Sequence, residues 1–283
     1  MDAIISPIST ILATILAYVY AVIPNFGVAI IILTFFVMLL LFPLTAKQTK
    51  SMLAMQQVQP QLKAIQQKYK GDKQKLNEEM MKFYQENKIN PLAGCLPLVV
   101  QMPILFGLFS LMQNPQNFLP ADSKLFGALC QGADKAACGE AIKASWFPSS
   151  LDFLGLNLHF SALNIKGGFW TSVPYFVLVL LSVAAQYFQS VQAQRGQTQI
   201  NKQMQIISRV MPLGFGVFSL NFPAGTVLYW LVSALARIGQ QEIILRKITL
   251  PHRQRIADAE EEHPADVVEA QTTAPRPKKR KRK

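Results

Sequence analysis

Residues 28–46, VAIIILTFFVMLLLFPLTA, contain no charged side chain and only two hydroxyls, Thr34 and Thr45. A helix of that length can cross a hydrocarbon core of ~30 Å, which takes roughly 20 apolar residues. A soluble helix would turn a charged or strongly polar face to water, and this stretch offers none. The pattern recurs. No charged residue falls between Asp2 and Lys47, between Lys88 and Asp122, between Lys166 and Arg195, or between Arg209 and Arg237. Backbone groups in lipid must bond within their own segment, so these stretches are expected as helices. The composition points to an all-α polytopic membrane protein rather than a soluble domain with a large core.

The net charge of +12 is informative by position. Residues 1–46 hold no Lys or Arg, residues 47–88 hold nine Lys, and residues 237–283 hold twelve Lys or Arg. The stretch 113–172 is neutral, with four Lys against four acids. Basic residues mark the cytoplasmic side of a membrane. The region 47–90, the loop 192–208 and the tail are therefore expected inside, and residues 113–172 outside. Keeping the tail inside requires two crossings in 209–247, and Pro223-Ala224-Gly225 supplies the break between them. The resulting partition has five spans: 28–46, 91–112, 173–191, and two within 209–247. The first helix of that last pair is too short for a full bilayer, so a thinned membrane or a recessed helix is expected there.

Residues 1–27 are expected as an outer interfacial helix. Ile8, Ile11, Leu12, Ile15, Leu16 and Val19 fall on one face, and Ser9, Thr10, Thr14 and Tyr18 on the other. A spanning helix is the alternative. No basic start precedes the apolar run, so a signal peptide is not expected. Residues 47–90 read as a helical hairpin. Met52, Met55, Leu62, Ile65 and Tyr69 stripe its first arm, and Leu76, Met80 and Phe83 its second. Gly71-Asp72 marks the turn, and the two stripes suit a short antiparallel coiled coil. Pro60 must kink the first arm or start a new helix. In the loop 113–172, Leu151–Phe160 is apolar and expected at the interface. The tail 248–283 is charged and poor in apolar residues, so disorder is expected.

Signals for catalysis are missing. His159, His252 and His263 lie outside the spans and lack metal-ligand spacing. There is no Gly-rich phosphate loop and no acid inside a span, where proton-coupled transporters place one. Neither an enzyme nor a bound metal or cofactor is expected. Uncharged polar residues remain: Thr34 and Thr45, with Met38 and Leu41, on the first span; Gln101 on the second; Ser182, Gln186 and Gln189 on the third; Ser233, with Trp230 and Arg237, on the last. They could hydrogen-bond between helices or line a wettable groove.

Several motifs resemble the YidC/Oxa/Alb insertase family. Ile32-Leu33-Thr34, Phe42-Pro43-Leu44-Thr45 and Lys47-Gln48 look like its first core span. Met55-Gln56-Gln57-Val58-Gln59-Pro60-Gln61-Leu62-Lys63 with Lys68-Tyr69 is similar to its hairpin. Asn90-Pro91-Leu92-Ala93-Gly94-Cys95-Leu96-Pro97-Leu98 and Gln101-Met102-Pro103-Ile104 are similar to its second span. Met211-Pro212, Phe222-Pro223-Ala224-Gly225, Leu228-Tyr229-Trp230 and Gly239-Gln240-Gln241 match its last two. The resemblance covers about residues 6 to 247. It implies a monomeric, cofactor-free insertase and folding chaperone of the bacterial inner membrane, with its C-terminus cytoplasmic. A hydrophobic segment of a nascent membrane protein would slide along a hydrated groove into lipid without nucleotide hydrolysis. Leu105 and Trp230 match substrate-contacting positions, and Gln186 matches a groove-lining one. The secretion channel is an implied partner. One departure stands out: the family usually places an Arg in the first core span, where this chain has Met38, and no other span was expected to carry a buried cation. A channel or small-molecule transporter using the same polar residues is the competing function.

Cys130 and Cys138 share the outer, oxidising side, so a disulfide is expected between them. Cys95 falls in a span and suits packing. The terminal run Lys278, Lys279, Arg280, Lys281, Arg282 and Lys283 suits contact with ribosomal RNA or anionic lipid.

Overall fold

The computed structural model describes residues 2–87, 96–131, 133–143, 152–165, 168–194 and 202–251. Eleven α-helices lie within them: α1 (Asp2–Val22), α2 (Phe26–Gln57), α3 (Gln59–Lys68), α4 (Lys73–Glu86), α5 (Leu96–Gln113), α6 (Pro115–Phe118), α7 (Lys124–Cys130), α8 (Lys135–Lys143), α9 (Phe169–Gln194), α10 (Lys202–Ser219) and α11 (Ala224–Ile244), which a π-helical turn (Leu245–Thr249) extends. Three of these helices contain segments long and apolar enough to cross a membrane: Ile5–Val22, Phe26–Ser51 and Phe169–Gln192. Val99–Gln113 and Val210–Ser219 are shorter apolar helices. The chain is an all-α polytopic membrane protein. The tail with its basic run, and Cys95, fall outside the described residues.

The contacts divide the chain into two compact units. One comprises Met1–Pro43, Pro97–Arg195 and Ile200–Gln241, the other Leu44–Leu96, Gly196–Gln199 and Glu242–Lys283. In the second, α3 and α4 pack against each other. Pro60 starts a new helix rather than kinking one: Val58 is the N-cap of α3, and the proline sits at its first turn, where its missing N–H costs nothing. Asp72 caps α4 by accepting from the N–H groups of Gln74 and Lys75 at 3.1 and 3.0 Å. Leu62 and Phe83, both from the expected stripes, are buried.

The first unit carries the main core, in which Leu16, Ile30, Leu33, Leu108, Leu111, Leu158, Val227 and Tyr229 are among the most deeply buried side chains. Outward faces remain apolar, as at Phe35, Leu39 and Leu40 of α2 and Leu180 and Leu181 of α9. That is the distribution expected where lipid is the solvent. The inward face of α1 is Ser9, Leu12, Ala13, Leu16, Ala17 and Tyr20, while Ile11 is exposed. The sequence-based division of faces put Ser9 with the polar side and Ile11 with the apolar side. Packing turns the helix so that the Ser9 hydroxyl donates to the Gly107 carbonyl of α5 at 3.0 Å. The segment 113–172, expected as a loop, contains α6, α7 and α8. Leu125, Phe126, Leu129 and Cys130 form the buried face of α7, and α1 packs on α6 and α7. Ser123 caps α7 through Phe126 N–H (3.1 Å), and Asp134 accepts from Ala137 N–H (2.7 Å). Cys130 and Cys138 are joined, with sulfurs 2.00 Å and Cα atoms 5.1 Å apart.

Residues 152–165 tie together the ends of four apolar helices. Ala224 and Gly225, at the start of α11, donate their N–H groups to the carbonyls of Phe160 and Leu158, each at 2.8 Å. These are amides that a helix start leaves without intrahelical partners. Gly225 permits the approach, because a Cβ there would lie 3.3 Å from the Leu158 carbonyl and 2.9 Å from Met112 Sδ. The Tyr175 hydroxyl of α9 accepts from Asn157 N–H (2.9 Å) and donates to the Asn157 carbonyl (3.1 Å). His159 Nδ1–H donates to the Met112 carbonyl of α5 at 3.1 Å, and Phe153 covers Gly27 of α2.

Burial pushes the His159 pKa below its ordinary value of 6.5, the hydrogen bond to Met112 opposing in part. The native state therefore resists a proton that the unfolded chain accepts. This contribution to stability is complete above the unfolded pKa and is lost as the pH falls through it toward the depressed native value. Thermal unfolding in detergent should show a falling midpoint between about pH 7.5 and 5, a dependence that His159→Gln should flatten.

Candidate functional site

The sequence-predicted residues fall into three groups. In the first, α5 and α11 meet through polar side chains. Gln101 Nε2 donates to the Tyr229 hydroxyl, while its Oε1 accepts from the Arg237 guanidinium at 2.6 Å. One turn further along α11, Gln240 Nε2 donates to the Met38 carbonyl of α2 at 2.8 Å. Tyr229, Ser233, Arg237 and Gln240 recur at helical spacing, so a single face of α11 presents all four. Met38 and Ser233 are buried, Gln101 and Arg237 partly so. No cation was expected inside the bundle. The Arg237 side chain instead turns back onto Gln101, because a long arginine stem can carry its head to the nearest polar partner. Arg246 pairs with a carboxylate, Glu242, whereas Arg237 rests on a neutral amide.

The second group is local. Thr34 spends its hydroxyl on the Ile30 carbonyl of its own helix at 2.6 Å. Gln186 Nε2 donates to Ser182 Oγ at 3.0 Å, one turn along α9. Neither hydrogen bond links these residues to the α5–α11 network. Leu105 lies half-buried against the core.

The third group is aromatic. The Trp230 ring, 7% exposed, lies 4.4 Å from Phe215 and 5.1 Å from Phe222. Phe222 in turn stacks near Phe109 and Phe218, at 4.9 and 4.8 Å. Such tilted pairs join α5, α10 and α11 around the break at Pro223. Tyr229 and Gln240 carry as much of the site as the residues singled out from periodicity. The signal was available, since they complete the stripe begun by Ser233 and Arg237. Among the described residues no cluster of His, Cys, Asp or Glu could hold a metal.

The family described as "60Kd inner membrane protein" matches residues 18–252. The chain belongs to the YidC/Oxa/Alb family. A membrane protein insertase YidC from Fusobacterium nucleatum is 36% identical over 79% of this chain and 87% of its own length. One from Clostridium perfringens is 31% identical over 92% of this chain and 98% of its own. One from Treponema denticola is 35% identical over 85% of this chain, yet the chain spans only 38% of that relative. The crystal structure of an active YidC insertase with its first transmembrane domain resolved superposes with a TM-score of 0.50 at 24% identity, over 84% of this chain and 45% of the other. This likeness concerns the fold. YidC/Oxa/Alb membership places the polar stripe of α11 in a multi-pass inner-membrane protein.

Replacing Gln101 with Leu strands the Arg237 guanidinium in a partly buried place. The loss should be about 1–3 kcal/mol, the cost of orphaning one side of a charge-assisted hydrogen bond. Adding Arg237→Met should recover part of it, because the coupling is pairwise. Thermal unfolding of the purified single and double variants measures both.

Proposed function

We propose that the protein is a membrane protein insertase and folding chaperone, which passes hydrophobic segments of nascent proteins along a hydrated groove into the bilayer without nucleotide hydrolysis. The observation that carries this reading is the polar network of Arg237, Gln101 and Tyr229, set between helices whose remaining surface is apolar. A client's hydrophilic flank crossing bare hydrocarbon faces a cost of ~2.5–3.5 kcal/mol per charge. Hydrogen-bonding groups inside the bundle, with water around them, lower that cost. Buried polar atoms without a partner among the described residues, Thr226 Oγ1 and Gln192 Oε1, suit bound water. A short path helps as well: after Arg209 only ten residues of α10 remain before its end at Ser219, a rise of ~15 Å, about half a hydrocarbon core. The relatives that bear the insertase name, in Fusobacterium and Clostridium, are covered over nearly their whole length.

In this reading five spans (α2, α5, α9, α10 and α11) enclose the groove. Thr34, Met38, Gln101, Leu105, Ser182, Gln186, Trp230 and Ser233 contribute to its lining, and α1 lies at the outer interface. The disulfide Cys130–Cys138 is outside, in keeping with an oxidising compartment. The hairpin of α3 and α4 is a cytoplasmic coiled coil that docks clients or the secretion channel. The basic tail is cytoplasmic and meets the ribosome or anionic lipid. The chain works as a monomer.

Met38 leaves the first core span without a cation, and Arg237 supplies one from the last. In reconstituted vesicles the wild type should insert single-span clients with acidic and with neutral translocated tails. Arg237→Gln should lower the acidic-to-neutral ratio by about tenfold, equivalent to ~1.4 kcal/mol. Adding Met38→Arg should restore it. Insertion of neither client by the wild type would refute the insertase reading. Crosslinks from Gln186 to nascent segments support it, whereas solute flux blocked by bulky labels at the same position would favour a transporter.

A further inference from the structure

We propose that the tight turn Phe153–Leu156 is a membrane-inserting tip, with Leu154 entering the acyl boundary of the leaflet at that end of the bundle. The backbone closes a two-residue hairpin: Phe153 N–H donates to the Leu156 carbonyl, and Leu156 N–H to the Phe153 carbonyl, both at 2.9 Å. Both central residues have positive φ, Leu154 at 52° and Gly155 at 77°. Turns of this kind favour Asn-Gly or Asp-Gly, because a branched apolar side chain is disfavoured in the left-handed region. Here the first position holds leucine, and its side chain is 84% exposed. In water that residue is unfavourable twice, through its backbone conformation and through its uncovered apolar surface. A polar residue would relieve both. The arrangement becomes favourable only if something apolar outside the chain covers the tip.

Its position identifies the cover as lipid. The turn belongs to the segment fastened at the start of α2 by Phe153 over Gly27, at the end of α5 by His159, and at the start of α11 by Leu158 and Phe160. On α9 it is held through Asn157 on Tyr175. Tyr175 lies about 7 Å along the helix axis beyond Trp170. Trp170 is itself 82% exposed, beside exposed Phe169. Exposed Trp at the end of an apolar helix marks the interfacial belt. Asn157, the residue that follows the turn, is thus held deeper along α9 than the ring that belongs at the headgroups. Asp152, next in the chain, has one carboxyl oxygen buried, and that burial raises its carboxyl pKa, with the Asn157 hydrogen bond opposing in part.

The inference needs only the membrane-spanning character of the chain and stands apart from the insertase reading. Its test uses the full chain with Cys95→Ser and Leu154→Cys, labelled with an environment-sensitive fluorophore and reconstituted into phosphatidylcholine vesicles with no other protein. Lys75→Cys in the charged α4, with a side chain 68% exposed, serves as the aqueous reference. The Leu154 label should emit to the blue of that reference and lose about half its intensity in vesicles whose lipids are brominated in the upper acyl chain, the depth of an interfacial apolar group. Emission matching the aqueous reference, with no bromine quenching, would overturn the proposal. So would a blue shift that appears only on adding a client segment or a second membrane protein, since the tip would then be covered by protein rather than lipid.

Discussion

A polar side chain on a helix surrounded by lipid needs a hydrogen-bonding partner inside the bundle, and the fold is organised around that constraint. Gln101 uses both ends of its amide, giving to Tyr229 and receiving from Arg237. Gln240 finds a backbone carbonyl on α2, Ser9 one on α5, and Thr34 one on its own helix. Each bond is modest where lipid surrounds the helices, of the order of ~1 kcal/mol. Leaving its partners unmatched would cost more. The α5–α11 contact is the least replaceable of them, because it holds a cation. A guanidinium needs a geometry that its partner fits, and a glutamine fixed at its other end by a tyrosine provides one that does not wander.

The same constraint explains the division of labour along α11. Its first turn is fastened by the carbonyls of Leu158 and Phe160, its middle by aromatic packing of Trp230 against Phe215 and Phe222, and its last turns by Arg237 and Gln240. The apolar fastening lies near the break at Pro223 and the polar fastening at the opposite end. A helix held this way presents dry, close-packed rings to one level of the membrane and hydrogen-bonding groups to another.

The apolar helices were legible in the sequence because charge is excluded from them, and exclusion leaves gaps that need no structural knowledge to see. The break before Ala224 and the helix start at Pro60 were legible for a similar reason, since proline imposes its backbone angle wherever it sits. The pairing of Cys130 with Cys138 followed from their shared segment. Less was legible where the partner lies far along the chain. Periodicity could group Ser233 with Arg237, but it could not show that Arg237 would reach Gln101, 136 positions away. The faces of α1 were misdivided because serine reads as polar until a carbonyl on another helix claims it. The helices α6 to α8 are short, and their signals, Ser123 and Asp134 at N-caps and Leu125 to Cys130 as a buried face, were hidden in a stretch whose neutral charge marked it only as exterior.

The fastened segment has a consequence for how the chain can vary. From Phe153 to Phe160, successive residues are committed to different helices: Phe153 to α2, Asn157 to α9, Leu158 and Phe160 to α11, His159 to α5. Inserting one residue there would shift every later partner by a position and undo several attachments together. Extra residues placed between Lys143 and Asp152 fall before the first of these attachments. Natural length differences on this side of the molecule should therefore gather upstream of the aspartate, leaving the following octet at constant length.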